Sequence, residues 1–110
     1  MTPYIDMFIS DKINTESNTR SKILKGDVSA SFSLKSIYYC VTCEVNSDML
    51  YIYTMLEYKK RQLFKKEGIL VGVTNGRKET EDLIISLTEK TLKETGTADI
   101  YTYIHKRNGR

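Results

Sequence analysis

The sequence has no tryptophan, one proline, one histidine and two cysteines. A structural zinc site takes four ligands, so the Cys and His residues of this chain cannot complete one among themselves. Cys40 and Cys43 form a CxxC, the spacing of redox pairs. Redox pairs sit at a helix N-terminus, where the dipole lowers a thiol pKa. Here the two lie inside an alternating, strand-like run, and residues i and i+3 of a strand face opposite ways. They are read as structural thiols, because sulfurs on opposite faces are badly placed to share a bond. No apolar stretch approaches the roughly 20 residues of a membrane-spanning helix. The N-terminal run MTPYIDMFISDKI is broken by Asp6 and Asp11 and lacks a basic start, unlike a signal peptide. With two cysteines and no export signal, a cytoplasmic protein is expected. Repeats and low-complexity tracts are also missing.

What is present describes an ordinary globular chain. Its 110 residues fit one domain, residues 1–110, large enough to bury a core of its own. Apolar residues make up 40% and charged residues 28%, which argues against global disorder. The net charge of +3 permits a nucleic-acid partner without demanding one. Eight tyrosines against three phenylalanines are unusual. Tyrosine pairs an apolar body with a polar tip, which suits half-buried sheets and interfaces.

The expected fold class is α+β: a small antiparallel sheet of three to four strands with one main helix on one face. Residues 3–13 fit a helix face or a strand face. Thr2 as N-cap and Pro3 at the first helical position favour a short N-terminal helix. Residues 14–30 are polar and read as an exposed loop. Residues 31–45 alternate, with Ile37, Tyr39, Val41, Cys43 and Val45 on one side, and need a bulge near Lys35–Ser36 to keep Phe32 and Leu34 inward. Asn46-Ser47-Asp48 reads as a turn. Two readings of residues 48–67 stand. As a strand, the segment returns antiparallel with Leu50, Ile52 and Leu56 inward, and Tyr51, Ile52, Tyr53 and Thr54 favour it by propensity. As a helix, it is capped by Ser47 and closed by Gly68, and the chain becomes a βαβαβ unit instead. Residues 69–73 read as a buried strand. Residues 77–95 are the main helix, with Leu83, Ile84, Leu87 and Leu92 as its stripe and Gly96 as its stop. Residues 98–105 alternate and suggest a last strand, with a short helix as the alternative. Residues 106–110 form a frayed basic tail.

Two surfaces are candidates for contact. In the strand reading, Met49, Tyr51, Tyr53 and Met55 share a face, and Tyr38 joins them from the neighbouring strand. A Met/Tyr stripe on an uncovered sheet face suits a protein partner or a homodimer. The second surface is KKRQLFKK, with Lys59, Lys60, Arg61, Lys65 and Lys66. Arg77 and Lys78 place cations at the start of the main helix, against its dipole, which a bound anion would explain. The simpler account is local pairing, Lys78 with Asp82 and Arg77 with Glu81. If folding joins these cations, with Lys106 and Arg107, they form one electropositive field for phosphate. The order helix, three strands, helix, with cations where the second helix starts, resembles that of double-stranded-RNA-binding domains. That resemblance implies shape-based contact with phosphates and 2′-hydroxyls.

No catalytic motif stands out. Gly72 to Glu79 lies where a phosphate loop would lie but lacks its glycine spacing and its Lys-Ser/Thr pair. His105 has no sequence-level link to a nucleophile. The expectation is a small non-enzymatic interaction protein acting through its Tyr/Met face, with no cofactor, metal or membrane partner. The alternative is nucleic-acid or phosphate binding through residues 59–66 with Arg77 and Lys78.

Overall fold

Alternation, turn residues and caps divide this chain into short elements, and a computed structural model describes residues 1–11, 38–45 and 49–109. In order they are β1 (Thr2–Ile9), β2 (Tyr38–Glu44), β3 (Leu50–Thr54), α1 (Met55–Lys60), a 3₁₀ turn (Leu63–Lys65), β4 (Gly68–Asn75), α2 (Gly76–Thr95) and α3 (Ile100–Arg107). The loop expected at 14–30, the bulge near 35–36 and the turn at 46–48 lie outside the described residues.

The fold is α+β, with four strands in the order β1-β4-β2-β3. The sheet is mixed rather than antiparallel: β2 runs antiparallel to β3 and β4, and β1 lies parallel to β4. Helices pack on both faces. On one, α1 and the 3₁₀ turn bury Met55, Tyr58 and Leu63 against Ile9, Cys40, Leu70 and Val73. On the other, α2 and α3 bury Leu87, Tyr103 and Ile104 against Tyr4, Val41, Cys43, Ile69 and Val71.

One irregularity sets this division. Val41 pairs with Gly72 and Thr42 with Leu70, leaving Val71 as an extra residue in β4. Such a bulge flips the parity beyond it. Val71 therefore enters the α2 core while Val73, two residues on, enters the α1 core. Gly72 permits close packing at this point. A Cβ there would lie 2.7 Å from Leu83 Cδ2 and 3.2 Å from the Phe8 carbonyl oxygen.

Several expected elements took another form. The N-terminal segment is a strand and not a short helix, because its apolar residues find β4 as a parallel partner. Residues 48–67 divide between the two readings. The strand ends at Thr54, whose side chain accepts the Glu57 N–H at 3.1 Å and so caps α1. The βαβαβ arrangement is thereby excluded. Of the two readings of 98–105, the short helix and not the last strand is observed, as α3. Asp99 caps it, accepting from Thr102 N at 3.1 Å and Thr102 Oγ1 at 2.6 Å, and His105, Lys106 and Arg107 complement its C-terminal dipole. A strand at the N-terminus and a helix after β3 also remove the element order that resembled a double-stranded-RNA-binding domain.

The main helix follows its signals. It ends at Gly96, which adopts a left-handed φ of 77° and donates its N–H to Leu92 O. Leu83 and Leu87 face the sheet, whereas Leu92 is 46% exposed. Thr80 donates to Gly76 O, so the 2.6 Å contact between Thr74 and Thr80 hydroxyls has Thr74 as donor, tying α2 to β4. No helix among the described residues is long and apolar enough to cross a membrane.

Candidate interaction edge

The order β1-β4-β2-β3 leaves β1 and β3 as the outer strands among the described residues. An outer strand presents unpaired N–H and C=O groups that can template another strand. β3 reads Leu-Tyr-Ile-Tyr-Thr, all residues that fit a pleated surface. From Met49 to Leu56 the sequence holds no charge, proline or glycine. One side of β3 pairs with β2 in continuous register, from Tyr39–Thr54 to Cys43–Leu50.

On the α1 face, the Tyr51 and Tyr53 rings stack with centroids 6.4 Å apart and an interplanar angle of 18°. The Tyr53 hydroxyl donates to the Glu44 carboxylate. The Arg61 guanidinium lies 5.8 Å from the centre of the Tyr53 ring, held by Glu57 at 3.4 Å. Lys66 reaches Glu44 at 3.6 Å. Desolvation, then the bond to anionic Glu44, pushes the Tyr53 phenol up to about 12. Tyr53 is thus a positioned ring, and Tyr51 beside it is 40% exposed.

On the α2 face, Ile52 is 46% exposed because α2 crosses β4 and β2 without covering the outer strand. A groove of about 330 Å³ runs beside it, lined by Tyr39, Ile52, Arg77, Thr80, Glu81 and Ile84. A strand laid along β3 would set alternate side chains over this groove.

The expected Tyr/Met stripe is therefore retained in part. Tyr51 and Met49 are exposed, Tyr53 is half-buried, and Tyr38 packs against the α1 core. Met55 is buried instead, its Sδ 4.0 Å from Cys40 Sγ, because α1 starts there and turns it inward. Ile52 and Leu56, expected inward, are 46% and 57% exposed. The sequence signal for this edge was its charge-free window, which alternation alone did not single out.

The basic residues do not converge as the phosphate reading requires. Lys59, Lys60 and Arg61 end or follow α1 on one face of the sheet, while Arg77 and Lys78 begin α2 on the other. Lys65 and Lys66 precede β4 and Arg77 follows it, so eight residues of strand, roughly 25 Å, intervene. Arg77 pairs with Glu81 at 3.9 Å and Lys78 with Asp82 at 3.7 Å, the local partners the spacing allows. The α2 N-terminus already holds a carboxylate, since Glu79 accepts the Asn75 N–H at 2.8 Å. Lys65 and Lys66 instead line a cavity of about 500 Å³ with Glu67, His105 and Asn108. With Glu44 on Lys66 and Glu67 in the wall, that cavity carries both signs of charge.

Cys40 and Cys43 are buried in opposite cores, as a CxxC within a strand requires. Burial raises both thiols, Cys43 to about 11, so neither is a ready thiolate at neutral pH. Among the described residues no group of three or more His, Cys, Asp or Glu is placed to hold a metal ion. Comparison with protein-family models, with curated proteins and with solved structures finds no match.

Proposed function

We propose that this protein is a small non-enzymatic interaction protein whose contact surface is the outer side of β3. The observation that carries this reading is an uncharged edge strand exposing Tyr51 on one face and Ile52 on the other. Main-chain hydrogen bonds to such an edge supply affinity, and side chains on alternate faces supply selectivity. Positioned aromatic rings add area at little entropic cost. The phosphate reading has less support, because Arg61, Lys66, Arg77 and Lys78 have carboxylate partners and the basic residues lie on both faces.

The test compares Ile52→Lys, on β3, with Ile5→Lys, on the opposite edge. Ile5 is 67% exposed, so both substitutions are sterically tolerable. Immobilised wild-type protein and Ile5→Lys should retain the same species, whether a differently tagged copy of this chain or another protein. Ile52→Lys should lose it. Equal retention by all three overturns the reading.

A further inference from the structure

We infer that the strand taken by the β3 edge is β3 of a second copy, paired antiparallel about a two-fold axis at Ile52. This rests on the reading of β3 as the contact edge and names its occupant. A two-fold at Ile52 sets Ile52 against its own counterpart, Tyr51 against the partner's Tyr53, and Leu50 against the partner's Thr54. The run Leu-Tyr-Ile-Tyr-Thr is near-symmetric about its centre, so Ile meets Ile and Tyr meets Tyr, with Leu against Thr at the ends.

Each face gains a matched pairing. On the α1 face, Tyr51 meets the partner's Tyr53 and Tyr53 the partner's Tyr51, so the two stacked pairs lie side by side as a block of four rings, and aromatic cross-strand pairs are among the favourable ones. On the α2 face, the two Ile52 side chains meet beside the groove formed by Tyr39, Thr80 and Ile84. Most partners would need to match the polarity of a strand, but a charge-free strand meets itself without like charges opposed. The contact is isologous and closes on itself, joining two four-stranded sheets into one of eight. A five-residue strand is a short seam, so the dimer should be weak and concentration-dependent, in the class of small transient interfaces.

β1 is poorly suited to the same contact. Pro3 lacks an N–H, and the Ile5 N–H is already bound by Asn108.

The two-fold makes a sharp test, because residue 52 meets itself. Sedimentation equilibrium of the full chain over a wide concentration range should show monomer and dimer. Ile52→Lys and Ile52→Glu should each weaken the dimer at least tenfold, since each opposes its own charge. An equimolar mixture of the two variants should recover association as a heterodimer, above either variant alone. Ile5→Lys should dimerise as wild type does. A mixture no better than its components overturns the two-fold register. A wild-type chain that stays monomeric at every concentration also overturns it, and capture of a different protein lost with Ile52→Lys would leave the β3 reading standing. Loss of folding in one variant would appear in its circular dichroism spectrum, and the Tyr51→Lys and Tyr51→Glu pair, at an exposed position, then serves against Tyr53 of the second copy. There each variant should weaken the dimer more than Ile5→Lys does, and failure to do so overturns the register.

Discussion

β1 and β3 bound the same sheet and are finished in different ways. Along β1 the register advances from Pro3 to Phe8 while β4 advances only from Leu70 to Gly72, so Tyr4 to Met7 bulge away from the ladder. The C-terminal end of α3 closes that bulge. Ile5 N donates to Asn108 Oδ1 at 2.8 Å, Asn108 Nδ2 donates to Pro3 O at 3.3 Å, and Arg107 binds Asp6. Proline, a charge, a bulge and a covering side chain are the devices that keep an edge from pairing. β3 itself holds neither proline nor charge and pairs with β2 in continuous register. The proposed association uses the uncharged, regular outer strand and not the guarded one.

The largest effect should come from loosening the guarded side at Gly72→Val. The new side chain would press on Leu83 and the Phe8 backbone, where α2 and β1 both meet β4. Overpacking of this kind costs about 1–3 kcal/mol, which denaturant unfolding would read as a lower midpoint at unchanged slope. An unchanged midpoint would mean that β1 and α2 do not depend on close approach there. Ile52→Lys gives the contrast: stability within about 0.5 kcal/mol of wild type, because the site is on the surface, with the association lost.

A smaller effect is expected from Asn108→Ala, which strips the Ile5 N–H and the Pro3 carbonyl of their side-chain partner. Water can replace part of this at an exposed site, so the loss should be about 1 kcal/mol. The specific readout is hydrogen exchange: the Ile5 amide should exchange faster while β2 and β4 amides do not. If Ile5 exchange is unaltered, Asn108 is not what closes the bulge.

The smallest effect is electrostatic. Tyr53 and Tyr103 are both held near 12 by desolvation and by their bonds to Glu44 and Glu94. Their folded values exceed the ordinary tyrosine value of about 10, so their share of stability is intact below that pH. It is lost as pH rises through about 12, because the unfolded chain releases these protons first. Glu44→Gln should lower the Tyr53 midpoint in an ultraviolet titration and leave Tyr103 in place. A joint shift of both would show that the two faces of the sheet are electrostatically coupled.

Much of the fold was legible in the sequence. The main helix carried an acidic first turn, an apolar stripe and a terminal glycine, and it forms from Gly76 to Thr95. β2 and β4 were visible as alternation and as a continuous apolar run. The opposed burial of Cys40 and Cys43 followed from strand geometry. The errors share a cause. Residues 3–13 and 98–105 fit two periodicities, and short segments of that kind take the structure their neighbours impose. β4 supplied a partner for the first, while the Asp99 cap and contact with the sheet made the second a helix. Parity placed Tyr51 and Tyr53 on one face, where their rings stack. Met55 was misplaced because Thr54, which looks like one more strand residue, is a helix cap.

The sequence by itself determined the α+β character, the separate fates of the two thiols, the local pairing of Arg77 and Lys78, and a charge-free run from Met49 to Leu56. These depend on residues within one element, where spacing acts directly. Only the tertiary structure decided that Leu50–Thr54 of this run is an outer strand, that Val71 flips the parity of β4, and that Asn108 reaches β1 across the chain. Strand order and bulges are set by contacts between residues far apart in sequence, and local spacing carries no record of them.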